Sequence, residues 1–267
     1  MNIQTLCDKI ELQPYIKERV LAFAQTADFD KIDELQQGYT SFHDMYDNLL
    51  KTQEWLGEDA DGTKILTCLF KAACDTYALY QEKGIPDDIY FETMKCFPRY
   101  ISETYVSTGK WAFDRHIWTT RQAGGHLFRL GQLEYEIKRS EGGVVIGVHI
   151  PSNAKFTPQL VDESLKKAHA FFEKYYPELK GSEYHCHSWL MDRQLGQMLG
   201  EDANITRFQN RFEVFDEGAE SQDFLEWLFR TKSTDYTTLS EETSLQRKVK
   251  QHVLAGGKMW TAYGRLK

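Results

Sequence analysis

Val144-Val145-Ile146-Gly147-Val148-His149-Ile150 is a short apolar run that stops at Pro151. A polar loop follows, Ser152-Asn153-Ala154-Lys155-Phe156. Thr157-Pro158 then opens an amphipathic stretch that reaches Tyr175-Tyr176 and stops at Pro177. The next run, Tyr184-His185-Cys186-His187-Ser188-Trp189-Leu190-Met191, again reads as a strand. Strand, helix, strand in this order predicts two parallel strands joined by a right-handed crossover. In such units the loop after the first strand and the N-terminus of the helix receive anions and phosphates.

Working outward, residues 127–137 read as a strand, and Ser140-Glu141-Gly142-Gly143 as a tight turn, so an antiparallel hairpin feeds the crossover. On the other side, Asp192 starts a short helix that ends near Gly200. The alternation from Arg207 to Phe215 predicts the last central strand, with Arg207, Gln209 and Arg211 opposite Phe208, Phe212 and Val214. Ser221 to Phe229 and Ser240 to Leu254 read as helices. Gly256-Gly257 introduces a final strand, residues 258–263. Residues 1–123 carry helical patterns throughout. Thr40-Ser41 caps one helix with Phe42, Met45, Tyr46 and Leu49 on its face; Asp61-Gly62-Thr63 leads into the longest, striped by Ile65, Leu66, Leu69, Phe70, Ala73, Tyr77 and Tyr80. The layout is therefore α+β, with a helical N-terminal domain (1–120) before a mixed-sheet domain (121–267).

The 267 residues are 41% hydrophobic, enough to build a core, and the net charge is −8. The densest basic cluster is Arg247-Lys248-Val249-Lys250, which argues against nucleic acid and anionic membrane surfaces as partners. No stretch has the length of a membrane span, and Met1-Asn2-Ile3-Gln4 does not begin a signal peptide. Cys7, Cys68, Cys74, Cys96 and Cys186 show no paired spacing, which reads as reduced thiols in a cytoplasmic protein.

The element order is similar to the acyl-CoA N-acyltransferase (GNAT) fold. Four segments resemble a narrower family: Arg121-Gln122 with the strand Leu127 to Glu136, His149-Ile150-Pro151, Cys186-His187-Ser188-Trp189-Leu190-Met191-Asp192, and Asn204-Ile205-Thr206-Arg207-Phe208-Gln209. These are the bacterial acyltransferase-domain proteins with a helical N-acyltransferase N-terminal domain and a GNAT-like C-terminal domain. The resemblance spans nearly the whole chain. It implies acetyl-CoA or another acyl-CoA as co-substrate and a small-molecule amine as acceptor. It further implies that the first parallel strand splays from the second and pairs with the pantetheine through Val148 and Ile150. Ser152, Asn153, Lys155 and Thr157 would then hold the pyrophosphate at the helix start. The chain departs from the family's glycine-rich phosphate turn, because residues 152–157 contain no glycine and Pro158 lacks an N–H. The bland reading of Thr157-Pro158 is a capped helix with proline in its first turn.

Amide formation from a thioester needs a base for the amine, an acid for the thiolate and donors for the oxyanion. Glu134 and Glu136 share one strand face and are the preferred bases, with His149 and His187 next. Each has an alternative: the glutamates as a solvated sheet face, His149 as a strand-end hydrogen bonder, His187 as a core histidine. The resemblance also implies a proton-donating tyrosine on the helix after the second parallel strand, and residues 192–199 contain none. Arg207, Gln209 and Trp189 are candidate acceptor contacts. Trp111 and Trp118 are candidates for an aromatic wall, with core packing as their alternative. Two further readings stay open. One is a GNAT-fold module without catalysis that binds a metabolite or a partner. The other is a metal-dependent hydrolase built on His185-Cys186-His187, although no metal site is assigned.

Overall fold

The computed structural model describes residues 1–36, 45–140, 142–216 and 218–267. The cap at Thr40-Ser41 and the Phe42 position lie outside the described residues, as does Glu141 of the hairpin turn. The chain divides into two compact units, Met1–Arg129 and Leu130–Lys267.

The first unit carries, among the described residues, α1 (Ile3–Lys9), α2 (Pro14–Ala24), α3 (Phe29–Gln36), α4 (Met45–Leu56), α5 (Thr63–Glu82), α6 (Asp87–Met94), α7 (Cys96–Thr108) and α8 (His116–Ala123). Its axis is α5, where Ile65, Leu66, Leu69, Phe70 and Ala73 are buried at the helical spacing the sequence shows. Phe70 meets Phe97 edge-on at 4.8 Å, and Tyr90 donates its hydroxyl to the Ala73 carbonyl at 2.7 Å. The start of α5 is fixed by two aspartates. Asp59 accepts from the Lys64 and Ile65 N–H groups, and Asp61 from Thr63 N–H. Gly62, between them, is left-handed at φ 68°, and a Cβ there would sit 1.9 Å from the Phe113 carbonyl oxygen, so both conformation and space demand glycine.

The second part of the chain supplies a six-stranded sheet. Its elements are β1 (Leu127–Leu130), β2 (Leu133–Ser140), β3 (Gly143–His149), α9 (Pro158–Tyr175), β4 (Tyr184–Ser188), α10 (Arg193–Leu199), α11 (Asn204–Gln209), β5 (Phe212–Asp216), α12 (Asp223–Trp227), α13 (Ser244–Leu254) and β6 (Ala262–Leu266). The strand order is β1-β2-β3-β4-β6-β5. β2 and β3 form the expected antiparallel hairpin, β3 and β4 run parallel across the α9 crossover, and β6 pairs antiparallel with both β4 and β5.

Strand alternation divides the sheet chemically. One face carries Tyr135, Ile137, Ile146, Val148, Tyr184 and Cys186, all buried. Helix α9 supplies Val161, Leu165, Ala168, Phe171 and Phe172 to the core, and Tyr184 meets Phe172 and Tyr135 edge-on. Burying each such large side chain stabilises the fold by roughly 1.5–3 kcal/mol. Ser164 fixes the helix lengthwise. Its hydroxyl donates to the Leu130 carbonyl and accepts from Leu133 N–H and the Tyr135 hydroxyl, both at 3.1 Å. One donor and two lone pairs are thereby all used.

Three expectations are corrected. Asn204–Gln209 is a helix and not part of a strand, so Arg207 and Gln209 do not share a sheet face with Arg211. Phe208 and Phe212 meet at a tilt, 5.0 Å between ring centroids, across the helix-to-strand junction, which mimics alternation in the sequence. The strand that follows, β5, lies at the sheet edge and not at its centre. The last strand is Ala262–Leu266, several residues later than 258–263, because Trp260 is drawn off in a single bridge to Glu220.

Candidate active site

β3 has two unequal edges. Along β2 it is paired from Gly143 to His149. Along β4 it is paired at Ile146↔Tyr184 and Gly147↔His185, with Ile146 N–H donating to the Glu183 carbonyl at 2.8 Å, and the ladder then stops. From there β3 stays with β2, while β4 continues alongside β6 through His187↔Tyr263 and Ser188↔Ala262. The two parallel strands therefore part after two residues. Because strand N–H groups alternate, Val148 and Ile150 present theirs to the same side as Ile146, and Ile150 lies beyond the last pair.

The polar face of the sheet meets this opening. The hairpin register sets Glu134 opposite His149 and Glu136 opposite Gly147. His149 reaches diagonally to Glu136, Nε2 to Oε2 at 2.7 Å. The glutamates are not the solvated edge that alternation alone allows: Glu134 is 4% exposed and Glu136 8%. A buried carboxylate requires a partner, and His149 supplies it for Glu136. In the tautomer that donates Nε2–H to the carboxylate, the neutral ring carries its lone pair at Nδ1.

Across the opening, His187 stacks on Tyr263, 3.8 Å between centroids and 6° between planes. It reaches solvent and is not a core histidine. Its pKa is held below the ordinary imidazole value, first by desolvation against the sheet and then by the positive charge of Lys138. Cys186 faces the other way into the core, with its thiol pushed up to about 12 by burial, which leaves it un-ionised and inert. His185 is tied to Glu183 at 2.8 Å, and Glu183 is bridged in turn by Arg265. The His185-Cys186-His187 triplet thus has three different sets of neighbours. Among the described residues no group of three or more His, Cys, Asp or Glu side chains is placed to hold a metal ion.

The loop after β3 is pinned at two backbone amides. Ala154 N–H donates to the Pro151 carbonyl at 2.9 Å and Lys155 N–H to Gln132 Oε1 at 2.7 Å. Thr157 is the N-cap of α9 without a side-chain capping bond, and Pro158 occupies the first turn. Ser152, Asn153, Lys155 and Thr157 are all exposed. Arg211 closes one side of this helix start, paired with Asp162 at 2.7 Å and donating to the Pro158 carbonyl at 3.2 Å.

The acceptor-contact candidates have structural tasks. Gln209 donates its amide to the Leu190 and Asp192 carbonyls at 2.7 and 2.8 Å. Arg207 makes a surface ion pair with Asp202. Trp189 is buried in a core with Leu195, Phe224, Val249 and Met259. In the helical unit, Trp111 stacks on Tyr105 at 4.1 Å and Trp118 lies under the Arg121 guanidinium. Asp192 starts α10 as the sequence indicates, its buried carboxylate capping Gln194 N–H; its second bond, from Trp260 N–H at 2.9 Å, is what sequence reasoning missed. Wholly within the helical unit, a cavity of about 320 Å³ is lined in part by Gln53, Asp59, Asp61, Asp114 and His116. Its polar groups are engaged: Asp59 and Asp61 cap α5, Asp61 pairs with Arg19, Asp114 accepts from Thr104, and His116 contacts Gln53.

A hairpin, an α crossover to a briefly paired parallel strand, and further antiparallel strands define a protein of the GNAT-like fold. Comparison with known proteins agrees. Residues 127–266 match the GNAT-like C-terminal domain and residues 1–125 match the N-acyltransferase N-terminal domain. The chain belongs to this acyltransferase family. Among solved structures it is similar to an acyltransferase in complex with decanoyl-CoA and teicoplanin, at 24% identity and a TM-score of 0.80 over 98% of this chain and 87% of that one. A structure described as an acyltransferase with CoA and 10C-teicoplanin gives 24% and 0.79 over 98% and 86%. One with decanoyl-CoA gives 22% and 0.80 over 98% and 86%. At these identities the likeness establishes the fold. No curated protein matches by sequence. Among the described residues no helix is long and apolar enough to cross a membrane.

Proposed function

We propose that the protein is an acyl-CoA-dependent N-acyltransferase. The observation that carries this reading is the parting of β3 from β4 after two residue pairs, directly beside the half-buried Glu136–His149 pair. An extended pantetheine arm enters the opening and bonds to the backbone at Val148 and Ile150, as an added strand would. Ser152, Asn153, Lys155 and Thr157 receive the pyrophosphate through side chains. The acceptor amine attacks the thioester carbonyl carbon, forming the C–N bond as the C–S bond breaks. His149 Nδ1 takes the proton from the amine nitrogen, and Glu136 stabilises the imidazolium that results. The thiolate then receives that proton and leaves as free CoA. His187, neutral on the facing strand, accepts a hydrogen bond from the amine and directs its lone pair.

The acceptor is an amine. Small amines are our first choice, and the fold-level likeness to proteins crystallised with teicoplanin adds amine-bearing glycopeptides to the set for testing. The measurement is a thermal shift with CoA and acetyl-CoA, coupled to thiol release on adding amines. Ligand at one hundred times its Kd stabilises by about 2.7 kcal/mol. Absence of any shift at millimolar CoA, together with no thiol release, would overturn the proposal.

One observation favours a second reading, a binding module without turnover. The loop offers no glycine, and two of its amides are already bonded within the protein. A CoA-induced shift with no acyl transfer to any amine would select it.

A further inference from the structure

Lys138 lies on β2 two residues beyond Glu136, on the same face and opposite Val145. Its stem leans toward Gly147. A Cβ built on Gly147 would lie 2.6 Å from Lys138 Cδ, 3.3 Å from Lys138 Cγ and 3.4 Å from His149 Nε2. The space above Gly147 is therefore filled by the lysine stem, beside the His149 ring. Gly147 is not among the glycines with positive φ, so its backbone suits any residue; the missing side chain is what this position requires. Gly147 is also the last residue of β3 to pair with β4, at His185. A side chain that starts on β2 and lies over Gly147 crosses β3 toward β4. There His185, tied to Glu183, is the residue paired with Gly147, and His187 follows it on that face.

We infer that Lys138, laid across Gly147, is a positioning residue of this site that holds a fixed positive charge beside His187 and keeps its ring a hydrogen-bond acceptor for the incoming amine. The inference rests on the proposed function for the role of His187; the charge arrangement rests on the path of the lysine stem across Gly147 together with the field at His187. Five groups bear on His187. Lys138 from β2 and His149 from β3 disfavour its protonation. Asp216 at the end of β5 and Asp223 on α12 favour it, and Tyr263 of β6 covers one ring face. Lys138 also bears on Cys186 of β4, in keeping with a stem that crosses β3 toward that strand. Without it, the two aspartates face an imidazole opposed by desolvation and His149 alone.

The test is an NMR titration of the His187 ring in the full chain, with the signal assigned through His187→Gln. In Lys138→Met the titration midpoint rises. In Lys138→Arg it returns toward the wild-type value. In Gly147→Ala, where the new methyl displaces the stem and the charge is kept, it rises by less. In parallel, the KM for the amine measured at pH 6 rises in Lys138→Met while the KM for acyl-CoA stays constant. Should Lys138→Met fold poorly, Lys138→Gln serves in its place. A midpoint that does not move when the charge is removed overturns the inference. The titration needs no turnover, so a moved midpoint in a protein that transfers no acyl group sinks the proposed function and leaves the charge arrangement standing. An unmoved midpoint in an active enzyme does the reverse.

Discussion

The two edges of β3 make opposite uses of the same backbone. Toward β2 the strand is paired from Gly143 to His149, so its side chains are held in a fixed register with Glu134, Glu136 and Lys138. Toward β4 it pairs at two residues and is then released. The zipped edge fixes which side chains meet; the open edge offers backbone donors and acceptors beyond the last pair. One strand thus carries both a fixed side-chain constellation and an edge left open, separated only by the direction in which alternate N–H groups point.

The largest expected effect probes the zipped edge. Glu136→Gln and His149→Ala each remove one member of the proton-handling pair, and kcat is expected to fall roughly 10²- to 10⁴-fold. The CoA-induced thermal shift should survive, since neither side chain belongs to the open edge. Equal loss of CoA binding in both variants would erase the division between the edges. The next test concerns the closed seam between β4, β6 and β5. Gly264 is paired with Cys186 and Val214, and a Cβ there would sit 2.7 Å from Met191 Cε and 2.9 Å from Phe212 Cβ. Gly264→Val should cost about 1–3 kcal/mol of stability by overpacking, read from denaturant unfolding. Unchanged stability would mean that this seam is looser than its pairing suggests. The smallest effect belongs to the open edge. Ile150→Pro deletes one backbone N–H beyond the ladder, and the KM for acyl-CoA should rise roughly two- to tenfold with kcat little changed. A variant with wild-type KM would show that the open edge does not carry the donor.

Much of this was legible in the sequence because it rests on local pattern. The apolar run ending at Ile150, the amphipathic stretch after Thr157 and the second run at Tyr184 specify a crossover whatever the rest of the chain does. The stripe from Ile65 to Tyr80 likewise specifies α5. The strand at Arg207 failed for a physical reason: Phe208 and Phe212 both reach one aromatic cluster, one from a helix and one from a strand, and spacing alone does not separate these cases. Glu134, Glu136 and His149 were each singled out, yet the diagonal bond from His149 to Glu136 depends on a hairpin register set by its turn. Lys138 carried no signal at all, because its contact with Gly147 exists only once the two strands are side by side.

Ser164 has a consequence for ligand entry. A helix packed only by apolar side chains slips along a sheet at small cost, and a slip of one turn would carry its tip about 5.4 Å. The hydroxyl at Ser164 has no bonding capacity left over, so sliding would break three polar bonds together in a dry interior. A single oxygen in the middle of α9 therefore acts as a dowel for a tip nearly two turns away, and sets how far Pro158 stands from the gap between β3 and β4.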